Sequence, residues 1–381
     1  MKILYCINSL KNPGGMERVL INKVNYFIKN YNYDVSILTT DQNNQKIFYE
    51  DINPQIKSYD LKINYDLDCD KNFFYRMIVF FRKQKIHKKR LKSFLYEKNF
   101  DIVISCGCED TFFLPSIKDG SKKIREVHFN KEYRKIVVKA FNKNFLYQIK
   151  SYFDTWREEK LVNQYDEFIV LTKEDKELWN NKKVKVIPNA LTFDSKKVSN
   201  LENKKIISVG RLDGQKGYDI LIDVWKIVSK KCPDWILEIY GNGIDKENLE
   251  IQIKRNKLEN SLFLKGTTNN IQNKYLENSI YIMSSRYEGF GMVLIEAMSC
   301  GLPVIAFDCK CGPKDIIKNG ENGYLCKMFD IKEMSKRMID LIINKDKRKR
   351  IGMQAKKMSL NYSEEKIMKK WEILFMELLK K

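Results

Sequence analysis

The chain has 381 residues, more than one ordinary hydrophobic core organises, so two domains are expected. Its 43% hydrophobic and 31% charged residues describe a folded soluble protein, and no apolar run reaches the roughly 18 to 20 residues that span a bilayer. The formal net charge of +21 favours anionic partners such as nucleic acid, anionic lipid head groups or phosphorylated ligands, although a composition rich in lysine, asparagine and isoleucine gives the same excess without any partner.

The opening segment "MKILYCINSLKNPGG" has too short an apolar core for a signal peptide and reads as a first buried strand, so a cytoplasmic protein is expected. Nine cysteines suit that compartment as reduced thiols. Cys106/Cys108 and Cys309/Cys311 are C-x-C pairs, whereas structural zinc wants wider spacing with a second pair or histidines, and the only histidines are His87 and His128. No metal site is expected.

In chain order, "KILYCIN" (2–8) is a strand that leads through a Pro-Gly-Gly loop into the helical pattern "MERVLINKVNYFIKN". Strands follow at "DVSILTTD" (34–41), "DIVISCG" (101–107), "KIREVHF" (123–129), "EFIVLT" (167–172) and "KVKVIPN" (183–189). Strands alternating with helices argue for a parallel sheet covered on both faces. The pattern breaks at Pro188 and Asn189 and then restarts. "KKIISVGRL" (204–212), "WILEIYGNG" (235–243), "LFLKG" (262–266), "SIYIMSS" (279–285) and "LPVIAFD" (302–308) are the strands of a second doubly wound domain. The tail "SEEKIMKKWEILFMELLKK" is a helix with Ser363 at its N-cap.

In open parallel sheets ligands gather at the carboxyl ends of strands, and each candidate motif follows a predicted strand. "VGRLDGQKG" (209–217) offers Arg211 and Lys216 on a Gly-flanked loop, a fork and a point charge for phosphate oxygens, or else merely a solvated basic loop. "PGGMERV" (13–19) sets Gly14 and Gly15 before the first helix, where backbone amides can bind an anion or simply make a tight turn. No G-x-G-x-x-G dinucleotide fingerprint occurs. "SSRYEGFGMVLIEAMSCGLPVIA" (284–306) places Glu288 in a Gly-rich loop and Glu296 inside the helix that follows, closed by Gly301. A carboxylate among apolar neighbours needs a partner, and sugar hydroxyls are good ones, although a lone helical glutamate is more often a surface residue.

The seven-residue gap between Glu288 and Glu296, the upstream "VGRLDGQKG" and the N-terminal "GGMERV" occur in one order along the chain. With them the sequence resembles a GT-B glycosyltransferase of family GT4 (glycosyl transferases group 1), of the type that builds bacterial capsule, exopolysaccharide or lipopolysaccharide. The resemblance implies an α/β fold of two Rossmann-like doubly wound domains facing across a cleft. Residues 1–186 would form the acceptor-side domain, 187–362 the nucleotide-sugar domain, and 363–381 a helix returning to the first.

The resemblance also implies roles. Arg211 and Lys216 match the basic pair on the donor diphosphate, Gly14 and Gly15 the N-domain glycines near it, and Glu288 the glutamate near the donor sugar. Phe290 and Gly291 match backbone contacts to that sugar, and Glu296 the group on the ribose. Met292, Val293 and Gly241 complete the expected donor-binding set. His128 falls where the family often has a histidine on the transferred sugar, the alternative being a satisfied strand-end histidine. Transfer would retain anomeric configuration, with a nucleotide sugar, a UDP-sugar by preference, as co-substrate, and with no metal or other cofactor.

Two further segments carry expectations. "YDLDCD" contains D-x-D at Asp66, Asp68 and Asp70, a metal motif in other transferases but here far in sequence from the phosphate motifs. "RMIVFFRKQKIHKKRLKSFLYEK" has seven Lys/Arg among residues 81 to 92, and Met77, Phe80, Gln84, His87, Leu91 and Phe94 share one helical stripe. That stripe either lies on anionic lipid or packs on the sheet with solvated lysines around it. The expected partners are therefore a nucleotide-sugar donor, a glycan or polyprenyl-diphosphate-linked acceptor, and an anionic membrane surface on the inner face of the plasma membrane. Competing classes are a nucleic-acid-binding protein, for which no aromatic platform or RNA-binding signature is present, and a sugar-nucleotide-modifying enzyme.

Overall fold

The computed structural model describes residues 1–12, 14–68, 73–107, 109–140 and 145–380. They form two compact units, residues 1–188 with 367–381 (unit 1) and residues 189–366 (unit 2).

Unit 1 holds the strands β1 (Lys2–Cys6), β2 (Asp34–Thr39), β3 (Lys57–Asp60), β4 (Ile102–Ser105), β5 (Lys122–Glu126), β6 (Glu167–Val170) and β7 (Val184–Val186). They make one all-parallel sheet in the order β3-β2-β1-β4-β5-β6-β7. Runs such as "KILYC" and "IVIS" are buried nearly throughout, as parallel strands covered on both faces require. The helices are α1 (Gly15–Tyr31), α2 (Phe73–Lys98), α3 (Tyr133–Ala140), α4 (Phe145–Leu161) and α5 (Lys173–Trp179). α1 buries Val19, Leu20, Val24, Phe27 and Ile28 along one stripe and ends at Asn32, whose left-handed backbone (φ 52) returns its N–H to the carbonyls of Phe27 and Ile28.

Unit 2 holds β8 (Lys205–Val209), β9 (Ile236–Tyr240), β10 (Leu262–Gly266), β11 (Ile280–Met283), β12 (Val304–Phe307) and β13 (Gly323–Cys326), again all parallel, in the order β10-β9-β8-β11-β12-β13. Its helices are α6 (Tyr218–Lys231), α7 (Lys246–Arg255), α8 (Ile271–Leu276), α9 (Met292–Ser299), α10 (Pro313–Ile316), α11 (Ile331–Ile343) and α12 (Lys345–Ser359). The core gathers Leu221, Trp225 and Val228 of α6 with Leu237, Ile282 and Ile305 of the sheet and Met334, Met338 and Leu341 of α11.

The last helix, α13 (Glu364–Lys380), belongs to unit 1 from Ile367 onward. It buries Ile367, Met368, Trp371, Leu374, Phe375 and Leu378. The Phe375 ring meets Phe27 of α1 with centroids 5.5 Å apart, and the buried Lys23 ammonium stands 4.1 Å over Trp371.

Two edge strands, β3 and β13, were not expected. β3 is the half-exposed polar tetrapeptide "KSYD", which carries no apolar run to announce it. β13 is short and opens on a glycine. The stripe on α2 also resolves differently from a lipid face. Leu91 and Leu95 are in the unit 1 core, and His87 is 1% exposed, edge-on to Phe113 with Nδ1 3.2 Å from the Tyr65 hydroxyl. Burial pushes the His87 imidazole down to about 4. The centre of the stripe therefore packs inward, and a bilayer cannot reach it.

The seven described cysteines are buried. Among the described residues no helix is long and apolar enough to cross a membrane.

Candidate functional site

In unit 2, β8 pairs with β9 on one side and β11 on the other, so the chain changes direction across the sheet at β8. At such a switch point the loops leaving adjacent strands diverge and open a crevice at their carboxyl ends. The two loops here are 210–217, between β8 and α6, and 284–291, between β11 and α9. They carry Arg211, Lys216, Glu288, Phe290 and Gly291.

These loops are laced together. Lys216 Nζ donates to Glu288 Oε1 at 2.7 Å, and Ser285 Oγ donates to the same oxygen at 2.6 Å. Ser284 Oγ donates to the Lys216 carbonyl at 2.8 Å, the Arg286 N–H to the Gln215 carbonyl at 2.8 Å, and Gln215 Nε2 to the Tyr287 carbonyl at 3.1 Å. The Arg286 guanidinium forks onto Asp219, the first acidic residue of α6, at 2.9 and 2.7 Å, and also reaches the Gly214 carbonyl at 2.9 Å. Burial raises the Asp219 carboxyl, but the Arg286 hydrogen bonds and charge outweigh it and hold the group below its ordinary value.

Within this frame Arg211 stands apart. Its side chain is 74% exposed, held loosely by Asp213 at 3.3 Å and Gln215 at 3.3 Å. A guanidinium presented to solvent beside a half-buried ammonium offers an incoming anion both a fork and a point charge.

The α9 N-terminus completes the constellation. Gly291 is its N-cap with φ +94, a left-handed backbone that favours glycine. Met292 and Val293 open the helix, where amides without an intrahelical acceptor and the positive end of the dipole meet. Phe290 is buried, its ring edge-on to Tyr362. Glu296, one turn further on, is buried and its two oxygens accept from the Thr192 hydroxyl at 2.6 Å and the Tyr275 hydroxyl at 3.3 Å. Burial holds its carboxyl above the ordinary range, and the two hydroxyls pull only partly against that. Gly241, at the end of β9, has φ +147, and a Cβ there would fall 1.9 Å from the Gly210 carbonyl oxygen. Its glycine is thus demanded by backbone contact under the Arg211 loop.

In unit 1 the switch point lies at β1, which pairs with β2 and β4. Gly15 begins α1 after β1, with open space where a Cβ would stand. Gly14 is its N-cap and shares hydrogen bonds with the Tyr49 hydroxyl through both N–H and carbonyl, each at 2.9 Å. His128 follows β5, with Nε2 3.4 Å from Glu126 Oε1 and a buried Nδ1 that has no hydrogen-bond partner among the described residues. Burial pushes its imidazole down to about 4 against the pull of Glu126, so the ring is neutral near pH 7. Potential ligand atoms of Cys106, Glu126 and His128 lie within 4.8 Å of one another, but the buried Lys23 ammonium already pairs with Glu126 and supplies the positive charge a cation would bring. Of the D-x-D motif, Asp66 accepts from Lys11 at 2.5 Å and from Asn43, while the Asp68 side chain and Asp70 lie outside the described residues.

Sequence reasoning missed Arg286, Asp219, Ser285, Thr192 and Tyr275. Arg286 stands inside the quoted glutamate stretch, yet its partner lies 67 positions upstream, a pairing that only the parallel register of β8 and β11 creates.

The model of the family described as Glycosyl transferases group 1 matches residues 191–358. An uncharacterized glycosyltransferase of Haemophilus influenzae is 33% identical over 380 residues, covering 97% of this chain and 99% of that protein. The chain belongs to the glycosyl transferases group 1. Another relative of this glycosyltransferase is the amylovoran biosynthesis glycosyltransferase AmsD of Erwinia amylovora, 26% identical over 97% of this chain and 98% of that one. Among solved structures, Anabaena HepE in complex with UDP has a TM-score of 0.77 at 17% identity, covering 99% of this chain and 100% of that one. A mutant of S. aureus TarM in complex with fondaparinux, α-GlcNAc-glycerol and UDP has a TM-score of 0.75 at 19% identity, covering 98% and 99%. The two doubly wound units of this group 1 glycosyltransferase are those of the GT-B fold.

Proposed function

We propose that this glycosyltransferase moves a sugar from a uridine diphosphate sugar to a glycan or polyprenyl-linked acceptor during assembly of a bacterial surface polysaccharide. It does so with retention at the anomeric carbon and without an obligatory divalent metal. The observation that carries the reading is the Lys216–Glu288 pair at 2.7 Å, set beside the exposed Arg211 and the start of α9 at the unit 2 switch point. Departure of a nucleoside diphosphate puts negative charge on the β-phosphate. Arg211, Lys216 and the α9 amides are the donors that stabilise it, and they cost little reorganisation because the interlaced loops already hold them. Glu288 orients the Lys216 ammonium and accepts from a sugar hydroxyl. Glu296, already engaged with Thr192 and Tyr275, accepts from the ribose. The donor choice is supported by the UDP complexes of HepE and TarM, and the pathway by AmsD. Gly14, Gly15, Gly241, Phe290, Met292, Val293 and His128 keep in this proposal the roles that the resemblance gives them, and the enzyme works at the cytoplasmic face of the membrane.

The test is a panel of nucleotide sugars, read as thermal stabilisation and as nucleotide release with polyprenyl-diphosphate glycans as acceptors. Stabilisation by uridine diphosphate and release from one UDP-sugar are expected. Indifference to every uridine diphosphate compound, together with a response to guanosine or adenosine diphosphate sugars, overturns the donor assignment.

A further inference from the structure

α4 is folded with its polar side inward. Ser151, Thr155 and Glu158 are its buried line, each less than 5% exposed. The two hydroxyls donate to carbonyls of their own helix, and Glu158 pairs with Arg125 and Arg134. The outward line is apolar. Phe145 is 71% exposed, Ile149 49%, Tyr152 60% and Trp156 48%, at positions i, i+4, i+7 and i+11, with Phe153 beside them at 53%. A surface helix in water shows the opposite arrangement.

α2 extends the same surface. With His87 and Leu91 turned into the core, its outward side carries Ile78, 68% exposed, and Phe81, 53% exposed. The two helices wall a cavity of about 650 Å³ lined with Met77, Phe80, Phe81, Ile149 and Phe153. Cations frame these rings. Lys160 stands 3.8 Å over Trp156, Lys135 4.6 Å over Tyr152, and Arg157 5.7 Å over Phe153, while Arg82 and Lys85 are exposed on α2. The acids on α4's outer side, Asp154 and Glu159, are paired with Lys150 and Lys131. Aromatic rings at the level of the head groups, with lysines and arginines reaching past them to phosphates, match the interface of an anionic bilayer.

We propose that the outward faces of α2 and α4 seat unit 1 on an anionic phospholipid bilayer. The face is formed by the α4 line and by Ile78 and Phe81, while the centre of the stripe through His87 and Leu91 packs into unit 1. This deepens the membrane placement proposed above, while donor chemistry in unit 2 is read separately by nucleotide release in solution. Its excess of positive charge disfavours a second copy of the same chain as the occupant.

Flotation of the full chain with phosphatidylcholine vesicles, with and without phosphatidylglycerol, tests it. Binding to the anionic vesicles at least about tenfold tighter than to neutral ones is expected. Ile149→Ser with Trp156→Ser, and separately Arg82→Glu with Lys85→Glu, should each weaken that binding about tenfold or more. Melting temperature and uridine diphosphate release in solution should stay unchanged, because all four side chains are exposed and remote in sequence from the donor loops. Absence of binding to anionic vesicles, or wild-type binding by both double variants, overturns the proposal. So does a wild-type dimer in light scattering that the same substitutions dissolve.

Discussion

Replacing Lys216 by methionine separates what the residue does for the fold from what it does for transfer. The pair with Glu288 is mostly out of solvent, with side chains 15% and 8% exposed, and its contact is 2.7 Å. Removing one member of a buried pair leaves the other charge uncompensated and costs about 3–5 kcal/mol. Ser285 still donates to Glu288, so the lower end, about 3 kcal/mol, is expected. For a unit of this size that is a fall in melting temperature of about 6–12 °C. Lys216→Met with Glu288→Gln removes both charges and should recover most of that loss, since a neutral amide keeps the hydrogen bond from Ser285. Turnover should behave differently. Both variants lose the ammonium at the departing phosphate, about 10²–10³-fold in kcat. The measurements are calorimetric melting and uridine diphosphate release at saturating donor. A double variant no more stable than the single one would refute the charge-pair reasoning, and one that recovers turnover would refute the phosphate role.

Arg286→Ala unties the two donor loops at Asp219 and Gly214. Donor KM should rise tenfold or more, with Arg286→Lys unable to restore the fork, and an unchanged KM in either would count against loop positioning. Gly241→Ala puts a Cβ against the Gly210 carbonyl and should destabilise unit 2 by a few kcal/mol in urea titrations, an effect a solvent-facing glycine would not show. His87, held near 4 against an ordinary 6.5, favours the neutral ring, so its contribution to stability is intact above about pH 6.5 and is lost as pH falls toward 4, about 3 kcal/mol at most. Its ring resonances should therefore stay those of neutral imidazole from pH 7.5 down to about 5.5. Transfer should persist in excess chelator, and a complete loss restored by a divalent cation would return attention to Asp66.

The sequence announced the buried parts of both sheets because parallel strands covered on two faces must be almost wholly apolar, as "IVIS" and "IYIM" are. It was silent on β3 because that edge strand is polar and half-exposed, and on β13 because its apolar run after Gly323 is only three residues long. The site was legible as motifs but not as a structure. Glycines, a basic pair and two glutamates are local in sequence. Ser285 is only three residues from Glu288, but the other partners that hold them, Asp219 for Arg286 and Thr192 and Tyr275 for Glu296, are brought in by the tertiary fold. The α2 stripe could be read either way because a histidine counts as polar in a pattern, while in the fold it sits neutral against Phe113 and the Tyr65 hydroxyl, the inward packing of the two alternatives. α4 escaped notice because its outward aromatics look like any core-facing stripe until burial is known.

Unit 1 is discontinuous. Its final helix is synthesised only after all of unit 2, so during translation the first 188 residues wait without the element that covers Phe27 and caps the Lys23 ammonium with Trp371. A ribosome-bound chain arrested after unit 2 would carry one finished domain and one with an open apolar groove on α1, a substrate for chaperones and proteases. A chain cut short before Ile367 would then be impaired in the distal, first-made unit. Unit 1 therefore closes its core around α1 only once the residues from Ile367 onward have been made, however early its other elements are complete.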